Sequence, residues 1–126
     1  RMHARDILKT AVKALDDKKA QDIQIIEIGD LTIIADYFLL ASGTSSTQVK
    51  ALAEEVEDRL SKAGIDPHHI EGRATGWILL DYGEVVIHVF HADQRGFYAL
   101  ERLWDDGKPV STSLFLEPAA EGESAQ

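Results

Sequence analysis

The chain has 126 residues, 44% of them apolar and 28% charged, with a formal net charge of −9 and no cysteine. That length suits one folded domain, and the apolar share is that of a globular chain rather than a disordered one. The acidic balance argues against direct sequence-specific nucleic-acid binding, which draws on Lys and Arg, and favours a basic protein partner; the lack of cysteine excludes thiolate chemistry, disulfides and Cys-ligated zinc, and accords with a reducing compartment.

Between about residues 4 and 18, Ile7, Leu8, Ala11, Val12 and Leu15 recur at spacings of one, three and four among charged residues, which predicts an amphipathic helix. The N-terminal stretch has no continuous apolar run of the secretory kind and no segment reaches the length of a membrane span, so a soluble cytoplasmic protein is expected. "DIQIIEIGDL" (22–31) and "DYFLLAS" (36–42) are rich in β-branched and aromatic residues and read as strands. From Ser46 to Ala63 the apolar positions Val49, Leu52, Ala53, Val56 and Leu60 fall at helical spacing, with Gly64 as C-terminal stop. "IDPHHIEGRAT" reads as an irregular polar loop. "GWILLDYGEVVIHVFHAD" is the strongest hairpin signal, two apolar runs joined at Asp81, Tyr82, Gly83 and Glu84. Asp93 can cap a third helix through "QRGFYALERLW", which "DDGKPV" breaks, and "STSLFL" can add an edge strand. Residues 1–116 are expected to form one domain, and the acidic 117–126 segment, with three Glu and no Lys or Arg, a disordered tail. The order of elements implies an α/β (α+β) fold, a mixed sheet of about five strands with flanking helices.

The loop "SGTSSTQ" (42–48) invites a phosphate-binding reading, yet it has one glycine and no Gly-Lys pair. Ser45 and Gln48 fit the S-x-x-Q capping box instead, and Gly43 permits a tight turn. A strand, a Gly-Thr turn and a helix also open nucleotidyltransferases, whose chemistry needs carboxylates on a following strand to hold two Mg²⁺. Here the acids downstream are Glu54, Glu55, Glu57 and Asp58 on a helix and Asp81 and Glu84 at a turn, with no D-x-D pair. The helical acids read as a solvated face. His88 and His91, three apart on a strand, point to opposite faces and cannot easily share a metal. No catalytic residue, metal site or cofactor is therefore expected, and His88 reads as a structural or contact residue.

Within the hairpin, Trp77, Leu79 and Asp81 share one strand face and Ile78, Leu80 and Tyr82 the other. One face has to be core. Composition leaves both core and interface open for Trp77, because tryptophan is common in both.

"ADYFLLASGTSSTQVKALAEEVEDRL", "EGRATGWILLDYGEVVIHVFH" and "RGFYALERLW", spaced in that order, closely resemble the ribosomal silencing factor family (RsfS, Iojap) from about residue 4 to 108. The resemblance implies a non-enzymatic protein that binds the large ribosomal subunit through its protein fourteen. Binding there blocks joining of the small subunit and represses translation, as under nutrient limitation. It also implies a nucleotidyltransferase-like fold without catalytic acids, and possible homodimers when the protein is free. Asp36, Tyr37 and Phe38 match the family's A-D-Y-F motif, and Ser42, Gly43, Thr44 and Ser45 its small-residue turn. Trp77, Asp81 and Tyr82 match its hairpin motif, followed by Gly83, His88 and Phe90. The expected ribosome contact is Trp77 as anchor and Asp81 as partner of a basic residue, with Leu79, Tyr82 and Glu71 around them. Tyr37, Phe38 and Phe90 are expected in the core. The segment from "STSLFL" onward matches no motif of the family.

Overall fold

A computed structural model describes residues 4–29, 35–73, 76–93 and 107–116. Helix α1 spans Ala4–Asp17 and buries Ile7, Leu8, Ala11, Val12, Ala14 and Leu15, the stripe that its periodicity requires. It ends where Lys19 turns to φ 65°, so that the Lys19 N–H donates to the Asp16 carbonyl at 2.9 Å and the Ala20 N–H to the Leu15 carbonyl at 2.9 Å. That pair of bonds satisfies two carbonyls the helix would otherwise leave open. Helix α2, Ser46–Lys62, ends in the same way: Gly64, at φ 89°, donates to Ser61 and Ile65 donates to Leu60. The cap residue is Ala63, and Gly64 sits one place beyond it, in the left-handed position that glycine fills without strain.

At the start of α2 the Ser45 hydroxyl accepts from the Gln48 N–H at 3.0 Å. The returning arm of the expected box is displaced by one residue: Gln48 Oε1 accepts from the Thr44 N–H and hydroxyl, at 2.6 and 3.0 Å, rather than from Ser45. Ser45→Ala removes the cap acceptor and is expected to cost about 1 kcal/mol, read as a lower urea midpoint at unchanged slope.

The strands are β1 (Gln21–Glu27), β2 (Tyr37–Gly43), β3 (His69–Glu71), β4 (Trp77–Asp81), β5 (Val85–His91) and β6 (Lys108–Val110). They form one mixed sheet in the order β3-β4-β5-β2-β1-β6. Among the described residues only β2 and β5 run parallel; the other pairings are antiparallel. The sheet has six strands among those residues rather than about five, because the polar loop after α2 contributes β3, paired His69 to Asp81 and Glu71 to Leu79. The expected edge strand at "STSLFL" is corrected as well. Pairing with β1 falls on Lys108–Val110, and Thr112–Leu114 is a single turn of 3-10 helix started by Ser111. The expected third helix and the acidic tail lie outside the described residues.

Both helices pack on one sheet face. Their buried side chains join Ile25, Leu39, Ala41, Ile78, Leu80, Ile87 and Val89 in the larger cluster. Each fully buried Leu or Ile there contributes roughly 1.5–3 kcal/mol of transfer free energy. The opposite face carries a second, smaller cluster of Ile26, Ile28, Ala35, Leu40, Val86 and Phe90, with Phe38, Trp77 and Leu79 packed against it. On the outside, Arg59 reaches Asp17 at 2.8 Å and Glu55 at 2.7 Å, tying the end of α1 to α2. The guanidinium hydrogen bond holds the Asp17 carboxyl below its ordinary value.

Candidate functional site

The hairpin turn sets the register that builds the site. Asp81 pairs with Val86, and the Tyr82 N–H donates to the Val85 carbonyl at 2.9 Å, so Gly83 and Glu84 form a two-residue turn. Gly83 takes φ 85°, the conformation that a glycine-first hairpin turn needs. Its N–H donates to Asp81 Oδ1 at 2.8 Å. Asp81 therefore has a structural duty in the turn as well as a charge to present.

Counting outward from that turn, Trp77, Leu79 and Asp81 fall on the face away from the two helices, opposite Phe90, His88 and Val86. Strand β3 adds His69 beside Asp81 and Glu71 beside Leu79 on the same face. Four of the expected contact residues, Trp77, Leu79, Asp81 and Glu71, are thus brought together at one corner of the sheet. Glu71 is 62% exposed and lies 2.7 Å from His69 Nε2; Trp77, Leu79 and Asp81 are half-buried.

Tyr82 does not join them. It is buried, at 5% exposure, in the cluster beneath the helices. Burial, then the carboxylates of Glu57 and Asp66, push its hydroxyl above the ordinary tyrosine pKa. The physical reason is strand alternation, which sends Tyr82 to the face that Ile78 and Leu80 occupy. It cannot serve as a contact residue without unpacking the core.

Trp77 has a partner that was not anticipated from the sequence. Its indole Nε1–H donates to His88 Nδ1 at 3.0 Å, and the two rings lie 5.6 Å apart. Phe38 packs against His88, with ring centroids 4.6 Å apart, and the Phe90 ring lies 6.1 Å from that of Trp77. His88 is 4% exposed, and burial lowers its pKa from 6.5 to about 4, so the ring is neutral. The signal that could have found this pair is register. With the turn at Gly83 and Glu84, His88 lies opposite Leu79 and diagonal to Trp77, within reach of a long side chain.

The "SGTSSTQ" loop is closed by its own side chains. A Cβ on Gly43 would sit 3.1 Å from Val49 Cγ2 and 3.3 Å from Gln48 Oε1, so the turn packs closely on the first residues of α2 and a larger residue there would crowd them. The N–H groups of Thr44, Gln48 and Val49 all donate within the chain. Gln48 also reaches across to the Lys19 carbonyl at 3.3 Å, fastening the start of α2 to the end of α1. The acids of α2 are largely neutralised: Glu55 by Arg59, Glu57 by Arg73 and Asp58 by Lys62. Among the described residues no group of three or more His, Asp or Glu is arranged to hold a metal ion, and no helix is long and apolar enough to cross a membrane.

The described residues make an acidic α/β protein, a mixed sheet with both helices on one face and a tryptophan at a corner of the other. The whole chain, residues 1–126, matches the family "Ribosomal silencing factor during starvation". The ribosomal silencing factor RsfS of Bacillus subtilis is 44% identical over 106 residues, covering 83% of this chain and 90% of that protein. The chloroplastic protein Iojap of Zea mays is 30% identical over 98 residues, 78% of this chain and 43% of that protein. A crystal structure of a Chromobacterium violaceum protein superposes with a TM-score of 0.79 at 38% identity, covering 95% of this chain and 98% of that one. One from Bacillus halodurans gives 0.75, also at 38% identity, over 85% and 98%. The chain belongs to the RsfS/Iojap ribosomal silencing factor family. Membership supports a ribosomal-silencing role, that of a translation repressor without catalytic activity whose partner is the ribosome.

Proposed function

We propose that the protein docks on the large ribosomal subunit through its protein fourteen and prevents joining by occupying volume that the small subunit needs. The observation that carries this reading is the corner where β3 and β4 place Trp77, Leu79, Asp81 and Glu71 side by side on one sheet face. A large amphipathic ring at the centre with carboxylates at the rim is the arrangement of a hot spot for a basic partner. The net charge of −9 would steer the encounter and make it sensitive to salt. No bond is made or broken. We read the site of action as the cytoplasm, and the described elements as one docking domain able to pair with a second copy when free. The scaffold's likeness to nucleotidyltransferases is, in this reading, one of shape alone. The alternative, nucleotide binding at Gly43 and Thr44, has little to recommend it where the N–H groups of Thr44, Gln48 and Val49 already donate within the chain.

The charge contribution is tested by co-sedimentation with separated large subunits at two salt concentrations. Glu71→Arg alters an exposed side chain and gives up its contact with the exposed His69, whereas Asp81→Arg also removes the acceptor of the turn. Asp81→Asn keeps an oxygen for the Gly83 N–H and removes the charge. The Glu71→Arg and Asp81→Asn pair is expected to weaken binding by about tenfold at low salt and less at high salt. Equal binding of wild type and double variant at both salts places the partner elsewhere.

A further inference from the structure

We infer that His88 is the positioning residue of the docking site: by accepting the indole hydrogen bond of Trp77 it holds that ring in the orientation that meets the partner. The inference rests on the reading of Trp77 as anchor. An indole N–H can only donate, so His88 Nδ1 must be the acceptor and the imidazole proton must lie on Nε2. That Nε2 is buried and has no hydrogen-bond partner among the described residues. An apolar residue at 88 would avoid the orphaned donor, so the histidine is poorly suited to plain core filling. What it supplies that leucine or phenylalanine cannot is the acceptor for Trp77.

The surroundings make the bond effective. Trp77 is half-buried at the first position of its strand, with its ring against Phe90 and the smaller cluster, and the bond to His88 fixes which way its N–H edge points. His88 itself is clamped by Phe38 at 4.6 Å and by its neighbours on the central strand β5, so its Nδ1 is a fixed point. A ring held before docking loses less freedom on binding, which raises affinity without a new contact.

Substitutions at 88 separate acceptor from shape. In His88→Asn the amide oxygen takes the place of Nδ1; His88→Phe keeps a flat ring without an acceptor, and His88→Leu replaces it if that variant does not fold. The Trp77 indole N–H resonance, assigned by its loss in Trp77→Phe, is followed in the free full-length protein, alongside co-sedimentation with large subunits. The expected result is an indole signal displaced in His88→Phe and retained in His88→Asn. Binding should be weakened about three- to tenfold in the former and near wild type in the latter. An indole signal unmoved in His88→Phe overturns the inference whatever the binding does. So does unchanged binding in His88→Phe, or equal loss of binding in both variants. Normal binding by Trp77→Ala overturns the docking reading itself and this inference with it, an outcome distinguishable because the indole signal in the His88 series is measured without the ribosome.

Discussion

Trp77→Ala should lower co-sedimentation with large ribosomal subunits by at least about thirtyfold, the loss of roughly 2 kcal/mol or more that marks a hot-spot aromatic. The variant should stay folded, because Trp77 is half-buried at the sheet corner and the larger cluster beneath the helices does not depend on it. Tyr82→Phe is the matched control from the same hairpin. Its hydroxyl is buried without a hydrogen-bond partner among the described residues, so deleting it should be neutral or slightly stabilising and leave binding unchanged. Unimpaired binding by Trp77→Ala would remove this corner from the interface. Lost binding in Tyr82→Phe, with stability intact, would instead move the interface to the helical side.

The second large effect is on stability against pH. His88 is neutral in the folded protein with a pKa of about 4, against 6.5 for an ordinary histidine. Between those values the unfolded chain binds a proton that the folded one does not, so stability is fully present above pH 6.5 and falls as the pH drops towards 4. Carried through, the loss is on the order of 3 kcal/mol, a large part of a small domain's stability. A protonated imidazole would also have to donate at Nδ1, in conflict with the Trp77 N–H already aimed there. Urea midpoints for wild type and His88→Leu at several values between pH 7 and 4.5 provide the check. The wild type should decline across that interval and His88→Leu, which has nothing to titrate at 88, should decline much less. Parallel curves would mean that His88 is not held neutral. The Asp17 carboxyl, held below its ordinary 3.8 by Arg59, contributes in a separate window: its stabilisation is present above that value and is lost only at lower pH.

Much of the architecture is legible in short range. The apolar stripes of Ile7 to Leu15 and Val49 to Leu60 repeat at the helical period and are buried as that period requires. The hairpin was readable because Gly83 marks a turn between two alternating runs. Strand β3 was not, since His69, Ile70 and Glu71 form three residues with no pattern of their own; they become a strand only because β4 offers a partner edge. Strand β6 is the same case: Pro109 and a preceding glycine argue for a break, yet the edge beside β1 tolerates a proline. At the site, alternation correctly separated Trp77, Leu79 and Asp81 from their neighbours. The contact expected of Tyr82 ignored that same alternation.

The sequence by itself determined the family, the acidic character, the two helices, the hairpin and the two alternate faces of β4, because each is written in residue spacing or in a turn residue. Only the tertiary structure decided which of those faces meets the helices. Both α1 and α2 pack on the Ile78 and Leu80 side, burying Tyr82 and leaving Trp77, Leu79, Asp81 and Glu71 on the other. It also decided that His88, distant from Trp77 along the chain, becomes its hydrogen-bond partner. Local pattern states that a strand has two unlike sides; which side is covered depends on where the helices pack, and that is a property of the assembled layers.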